Sequence, residues 1–195
     1  MELAHDKSKK GEMTMFIHWL IIITVAVVSL IGIIGIARRS PFHYGILLVL
    51  QLVSAFVLCV FFQKVMGFYR FALPLRYAMI LVLSGFGLYV LFIVHYRPRH
   101  KTFFFLFTVL HLVFILEYIL EQYVHFIVYQ NGWDTWDSYT WYWIYTIVFA
   151  GIGDYVVPEK YRNPVDPYSK GYWLSFFGVL VLTVAFTVYV LQAGT

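Results

Sequence analysis

Between residues 111 and 126 the chain reads HLVFILEYILEQYVHF. Two histidines, His111 and His125, and two glutamates, Glu117 and Glu121, interrupt a run that is otherwise apolar. Carboxylates and imidazoles are the side chains that move protons, hold transition metals and ligate haem iron. On a helix turning about 100° per residue, all four fall within an arc of about 120°. Glu117, Glu121 and His125 then form an i, i+4, i+8 column, and about 21 Å of helix rise separates His111 from His125. One face of one helix would carry polar groups through most of a bilayer.

Three chemistries compete for that face. The first is a transition-metal site, with Glu117, Glu121 and His125 as oxygen and imidazole ligands completed from a second helix. The second is haem b. His18, in FIHWL, and His43 begin the first two helices, while His111 and His125 lie early and late in the fourth. His18 with His125 near one surface, and His43 with His111 near the other, resembles the axial pairing of membrane di-haem b cytochromes. That resemblance covers only these positions. The third is proton movement along the carboxylate–imidazole face, with Glu117 and Glu121 as a coupled pair or as general acid and base. Against all three stands a packing role. Interhelical polar contacts average under about 1 kcal/mol, whereas a charge at a helix centre costs about 2.5–3.5 kcal/mol on insertion scales. The balance favours a functional, inward-facing surface.

The elements that must position these residues follow from composition. The 195 residues are 62% hydrophobic and 12% charged. A water-soluble domain is nearer half apolar and a quarter charged, and one this small cannot hide the excess. A lipid bilayer is therefore the expected surroundings. The aromatic content, 21% with six Trp and sixteen Tyr, suits a chain that meets two membrane–water interfaces. The basic residues are scattered, which excludes a nucleic-acid surface. Cys59 is the one cysteine, so disulfides within the chain, iron–sulfur clusters and cysteine zinc sites are excluded. No Walker, nucleophile-elbow, HExxH or histidine-box motif occurs.

Hydropathy predicts spanning helices over roughly 15–37, 42–66, 73–96, 102–130 and 172–192, each near the about 20 residues a bilayer needs. The segment 138–157 is shorter and glycine-containing; a spanning helix is favoured over a re-entrant one. A polar tail, 1–14, precedes a single domain, 15–195. The run 15–37 is too long for a signal peptide, so a retained first helix is expected. Lys and Arg do not fix the orientation. Gln51 is a candidate interior partner for Glu117 or Glu121. Gly32, Gly35, Gly85, Gly87, Gly151 and Gly153 are candidate sites of close helix approach. The stretch NGWDTWDSYTWYW reads as a turn and interfacial aromatic belt, or as a polar cap over the fourth helix with Asp134 or Asp137.

The expected fold is all-α: a polytopic transmembrane bundle of five or six helices. The leading functional expectation is an integral membrane subunit of a larger, redox-linked complex, with other membrane subunits and the lipid bilayer as partners. The alternatives are a stand-alone membrane enzyme acting on a lipid-like substrate through Glu117 and Glu121, and a structural accessory subunit.

Overall fold

The computed structural model describes residues 2–193. Among them, six helices follow one another: α1 (Glu2–Ala37), α2 (Pro41–Val60), α3 (Leu75–Tyr96), α4 (Thr102–Gln122), α5 (Thr135–Val156) and α6 (Lys170–Ala193). Two short strands, β1 (Tyr69–Phe71) and β2 (Ile127–Tyr129), pair antiparallel with Arg70 opposite Val128. The chain is an all-α bundle with this one ribbon attached. Among the described residues, five segments are long and apolar enough to cross a membrane: Met13–Ala37, Pro41–Val65, Leu75–Tyr96, Thr102–Gln122 and Lys170–Tyr189.

Local chemistry sets the boundaries. Pro41 opens α2, where a missing N–H costs nothing and the ring presets φ. The end of α2 widens into a π-helical turn, Phe61–Val65. The chain then reverses at Gly67, whose φ is +65°. A β-carbon there would lie 2.8 Å from the Asn131 amide nitrogen, and that nitrogen donates to the Gly67 carbonyl at 3.0 Å. The turn after α2 is thus fastened to the turn after β2. At the start of α5, Asp134 accepts from the N–H groups of Trp136 and Asp137, and Asp137 accepts in return from the N–H of Asp134, a complete capping box.

Consecutive helices alternate in direction, giving the bundle a ribbon end and an arginine end. At the arginine end Asp154 pairs with Arg97 and Arg162. Residues 138–157 therefore do not turn back: α5 is one helix of 22 residues, about 33 Å long, from Asp134 at the ribbon end to Asp154 at the other. Its Asp, Thr and Tyr content keeps it outside the five most apolar segments.

α3 is central, packing along α1, α2 and α5, while α4 packs along α5 and α6. The main core gathers Tyr44, Leu47, Val90, Ile93, Val94 and Phe149 near the arginine end. A smaller cluster, Ile22, Ala78, Leu120 and Phe126, closes the ribbon end. Close approach holds at Gly153, where a β-carbon would meet Val94 at 2.2 Å, and at Gly32 and Gly87. It does not hold at Gly35 or Gly151, which have nothing within 4 Å of that position.

Candidate functional site

The polar column of the sequence is cut short. Helix α4 ends at Gln122, not near residue 130. The chain turns at His125 with φ +53°, and the Phe126 N–H bonds back to the Leu120 carbonyl at 2.8 Å. Two gains outweigh further helix. Phe126 becomes fully buried against Ile22, Ala78 and Leu120, and residues 127–129 complete the ribbon with β1. The β-branched and aromatic run FIVY before Asn-Gly is a strand-and-turn signal. It competes with the apolar pattern that reads as continued helix.

Glu117 and Glu121 therefore remain on α4, but His125 leaves it. His125 is exposed, and its Nδ1 donates to the Glu121 carbonyl at 3.1 Å. Among the described residues no three His, Cys, Asp or Glu side chains gather closely enough to share a metal ion. Glu117, Glu121 and His125 do not come together as such a group.

The histidines do not pair either. His18 Nε2 donates to the Val124 carbonyl at 3.1 Å, so it does share the ribbon end with the His125 turn. His43 lies against Ser40 and Tyr161 at the arginine end. His111 sits midway along α4, its Nδ1 donating to the Phe107 carbonyl at 2.7 Å and its Nε2 accepting from Tyr139 at 3.2 Å. Each imidazole is held by a different partner. The arrangement does not fit bis-histidine haem.

What the bundle does contain is a chamber of about 250 Å³. Ile21 and Val25 of α1, Cys59 and Phe62 of the α2 segment, and Val82, Gly85 and Phe86 of α3 form part of its wall. Val113, Leu116 and Glu117 of α4, with Ser138, Trp141 and Tyr142 of α5, form much of the rest. Tyr69 and Ile127 of the ribbon lie at its floor. The lining is predominantly apolar, and among the described residues Glu117 is the one carboxyl in it. Glu121 does not reach it.

The Glu117 carboxyl is held by hydroxyls, not by a cation: none of the three ion pairs among the described residues involves it. Tyr129 donates to Glu117 Oε1 at 3.0 Å. Behind Tyr129, Ser138 donates to the Tyr129 hydroxyl at 3.4 Å and accepts from Trp133 Nε1 at 3.0 Å. Tyr142 also borders the carboxyl. Glu117 Oε2 is buried without a hydrogen-bond partner. The ribbon tyrosines remain donors: burial first, then the nearby Glu117 carboxyl, pushes the Tyr129 phenol well above the usual tyrosine range. Burial and the neighbouring Cys59 do the same to Tyr69.

The segment 131–143 serves this chamber with other residues than its aspartates. Asp134 and Asp137 cap α5, while Trp133, Ser138, Trp141 and Tyr142 line the cavity. Gln51 is fully buried but bonds neither glutamate; it stands beside Tyr145, deeper in the bundle. Tyr89 and Thr146 bond one another near it. Toward the arginine end, Leu47, Val90, Val94 and Phe149 separate these groups from the Tyr44–His95 hydrogen bond. Tyr89 and Tyr145 also line the chamber, whereas the Tyr44–His95 pair does not.

Tyr129, Ser138, Tyr142, Tyr69 and Cys59 are the site residues that sequence reasoning misses. Four come from elements distant in sequence from Glu117, and no spacing pattern links them. Compared with protein-family models, with curated proteins and with solved structures, the chain matches none.

Proposed function

We propose that this is a multi-pass membrane protein whose bundle binds a lipid-soluble small molecule, with Glu117 anchoring its polar group. One observation carries the reading: an apolar chamber of about 250 Å³ with a single carboxyl in its wall. A dry cavity of about 150 Å³ already holds benzene, so this one has room for a larger apolar body. Ligand sites are commonly apolar enclosures with a few convergent polar groups. An ionisable residue kept inside an apolar bundle is a functional candidate by default. The Ser138–Tyr129–Glu117 hydrogen bonds hold the carboxyl in the chamber wall, with the Tyr129 hydroxyl donating to it. Of the two glutamates, Glu117 is the one that faces the chamber.

The test is ligand-linked stability. Oleyl alcohol added to detergent-purified protein raises its unfolding temperature, because a ligand that binds only the folded state stabilises it. Glu121→Gln keeps that shift and Glu117→Gln loses it. An equal shift in Glu117→Gln sinks the assignment.

A second reading, a subunit of a larger and redox-linked assembly, rests on α1 and α6. These helices leave most of their apolar side chains outside the bundle, among them Phe16, Val27, Ile31, Leu174 and Val181. Lipid or neighbouring helices would suit that surface equally. The native mass in mild detergent decides it: a single-chain mass counts against the subunit reading.

A further inference from the structure

We infer that the chamber takes an uncharged amphiphile, and that this molecule reaches Glu117 sideways from the bilayer, between α4 and the α1–α3 pair. The inference rests on the chamber reading above and specifies its ligand and route. α4 and α3 are consecutive, yet α3 packs along α1, α2 and α5 while α4 packs along α5 and α6. Phe92 stacks on Phe105 near the arginine end, and Leu120 joins Ile22, Ala78 and Phe126 near the ribbon end. Between these two closures, Val25, Val82 and Gly85 face the chamber from one side, and Val113, Leu116 and Glu117 from the other.

Leu116 identifies the opening. It lines the chamber and is also 51% exposed on the outer surface of the bundle. The wall there is one side chain thick, on a helix apolar enough to face lipid. Toward the ribbon end the wall is aromatic: Trp133 stacks on Phe68, Phe62 packs on Trp133 and Trp141, and Phe71 meets Phe126; Trp141, which also lines the chamber, is less exposed than Leu116, at 38%. An apolar body fits toward the lipid-facing opening, with its polar end at Glu117.

The lining also selects the head group. Among the described residues no Lys or Arg contributes to the chamber wall. A phosphate or carboxylate head would be desolvated beside Glu117 without a counter-charge, which is strongly unfavourable. A hydroxyl or carbonyl head finds what it needs: Glu117, Ser138, Tyr69 and Tyr142 all line the chamber. The ligand class is therefore a neutral-headed, bilayer-resident molecule and not a phospholipid.

Cys59 gives the experiment its readout. It is the sole thiol of the chain, it lines the chamber, and it is 3% exposed. In proteoliposomes, Cys59 is expected to react with a lipid-soluble alkylmaleimide and not with a sulfonated, membrane-impermeant maleimide, with Cys59→Ser as the blank. Oleyl alcohol protects it at about tenfold lower membrane concentration than oleyl phosphate, a difference of about 1.4 kcal/mol. Leu116→Trp slows labelling and Leu116→Ala speeds it. Leu112→Trp, on the same exposed face but outside the chamber wall, changes nothing. Three results would overturn the inference: equally fast labelling by the sulfonated reagent, labelling indifferent to both Leu116 variants, or equal protection by alcohol and phosphate. If labelling ignores Leu116 while Glu117→Gln still abolishes stabilisation by oleyl alcohol, the lateral route fails and the chamber reading survives.

Discussion

Tyr129 donates its hydroxyl to Glu117 at 3.0 Å across the turn that ends α4. The partner of this buried carboxyl thus comes from a strand twelve residues on, not from His125 on the same helical face. Removing the hydroxyl leaves a buried acceptor unpaired, which costs about 1–3 kcal/mol. Tyr129→Phe should therefore lower stability in detergent by that amount, whereas His125→Ala, an exposed position, should stay within about 0.5 kcal/mol of the parent. Denaturant or thermal unfolding of the two variants measures the contrast. The reverse order would restore the helical column of Glu117, Glu121 and His125.

Helices α3 and α5 approach closely at Gly153. A β-carbon on Gly153 would lie 2.2 Å from a Val94 methyl, and Val94 is fully buried in the main core. Gly153→Ala should cost about 1–3 kcal/mol by overpacking. Gly151→Ala, with open space around it, should be neutral or slightly stabilising through helix propensity. Paired melting curves test both.

The bundle outline was legible in the sequence because apolar runs near 20 residues have few readings. Helix α4 and its two glutamates were legible for the same reason. The end of α4 was not, because residues 123–130 satisfy an apolar helix pattern as well as a strand pattern. The burial of Phe126 and the pairing of Tyr69–Phe71 with Ile127–Tyr129 decide between them, and that pairing is long-range. The chamber was illegible for a related reason. Cys59, Tyr69, Glu117, Ser138 and Tyr142 meet only after four elements pack, so hydropathy alone reads Cys59 as packing and the tyrosines as interfacial. In the segment 131–143 the turn at Asn131 and Gly132 is present, the residues from Thr135 on belong to α5, and the link to the site runs through Trp133 and Ser138.

Alkaline pH should loosen the ribbon end. Tyr129 and Tyr69 titrate above their ordinary value because burial opposes the phenolate. Unfolded tyrosine titrates near about pH 10. Above that pH the unfolded chain releases protons that the folded chain retains, so stability falls as pH rises. Their contribution is complete below about pH 10 and declines above it. Tyr69→Phe combined with Tyr129→Phe should flatten part of the decline in unfolding temperature at alkaline pH.

At the arginine end, Arg162 donates to Asp154 at 2.6 Å and to the Gly153 carbonyl at 2.8 Å, and it also reaches the Val157 carbonyl. One planar guanidinium thus closes the end of α5 and anchors the loop before α6. Arg162→Lys keeps the charge but cannot reproduce the fork. Both Arg162→Ala and Arg162→Lys should speed proteolytic cleavage between residues 158 and 170, with a larger effect for Ala. Cleavage of Arg162→Lys at the parental rate would show that charge alone suffices.

The central claim is that Glu117 holds a neutral, lipid-soluble molecule inside the bundle. Native mass spectrometry of the protein taken directly from its own membranes, followed by solvent extraction, tests it most directly. The wild-type chain and Glu121→Gln should each carry a phosphorus-free apolar molecule in near one-to-one ratio, and Glu117→Gln should not. The same molecule in the same amount on Glu117→Gln, or only phospholipid on all three, would contradict it.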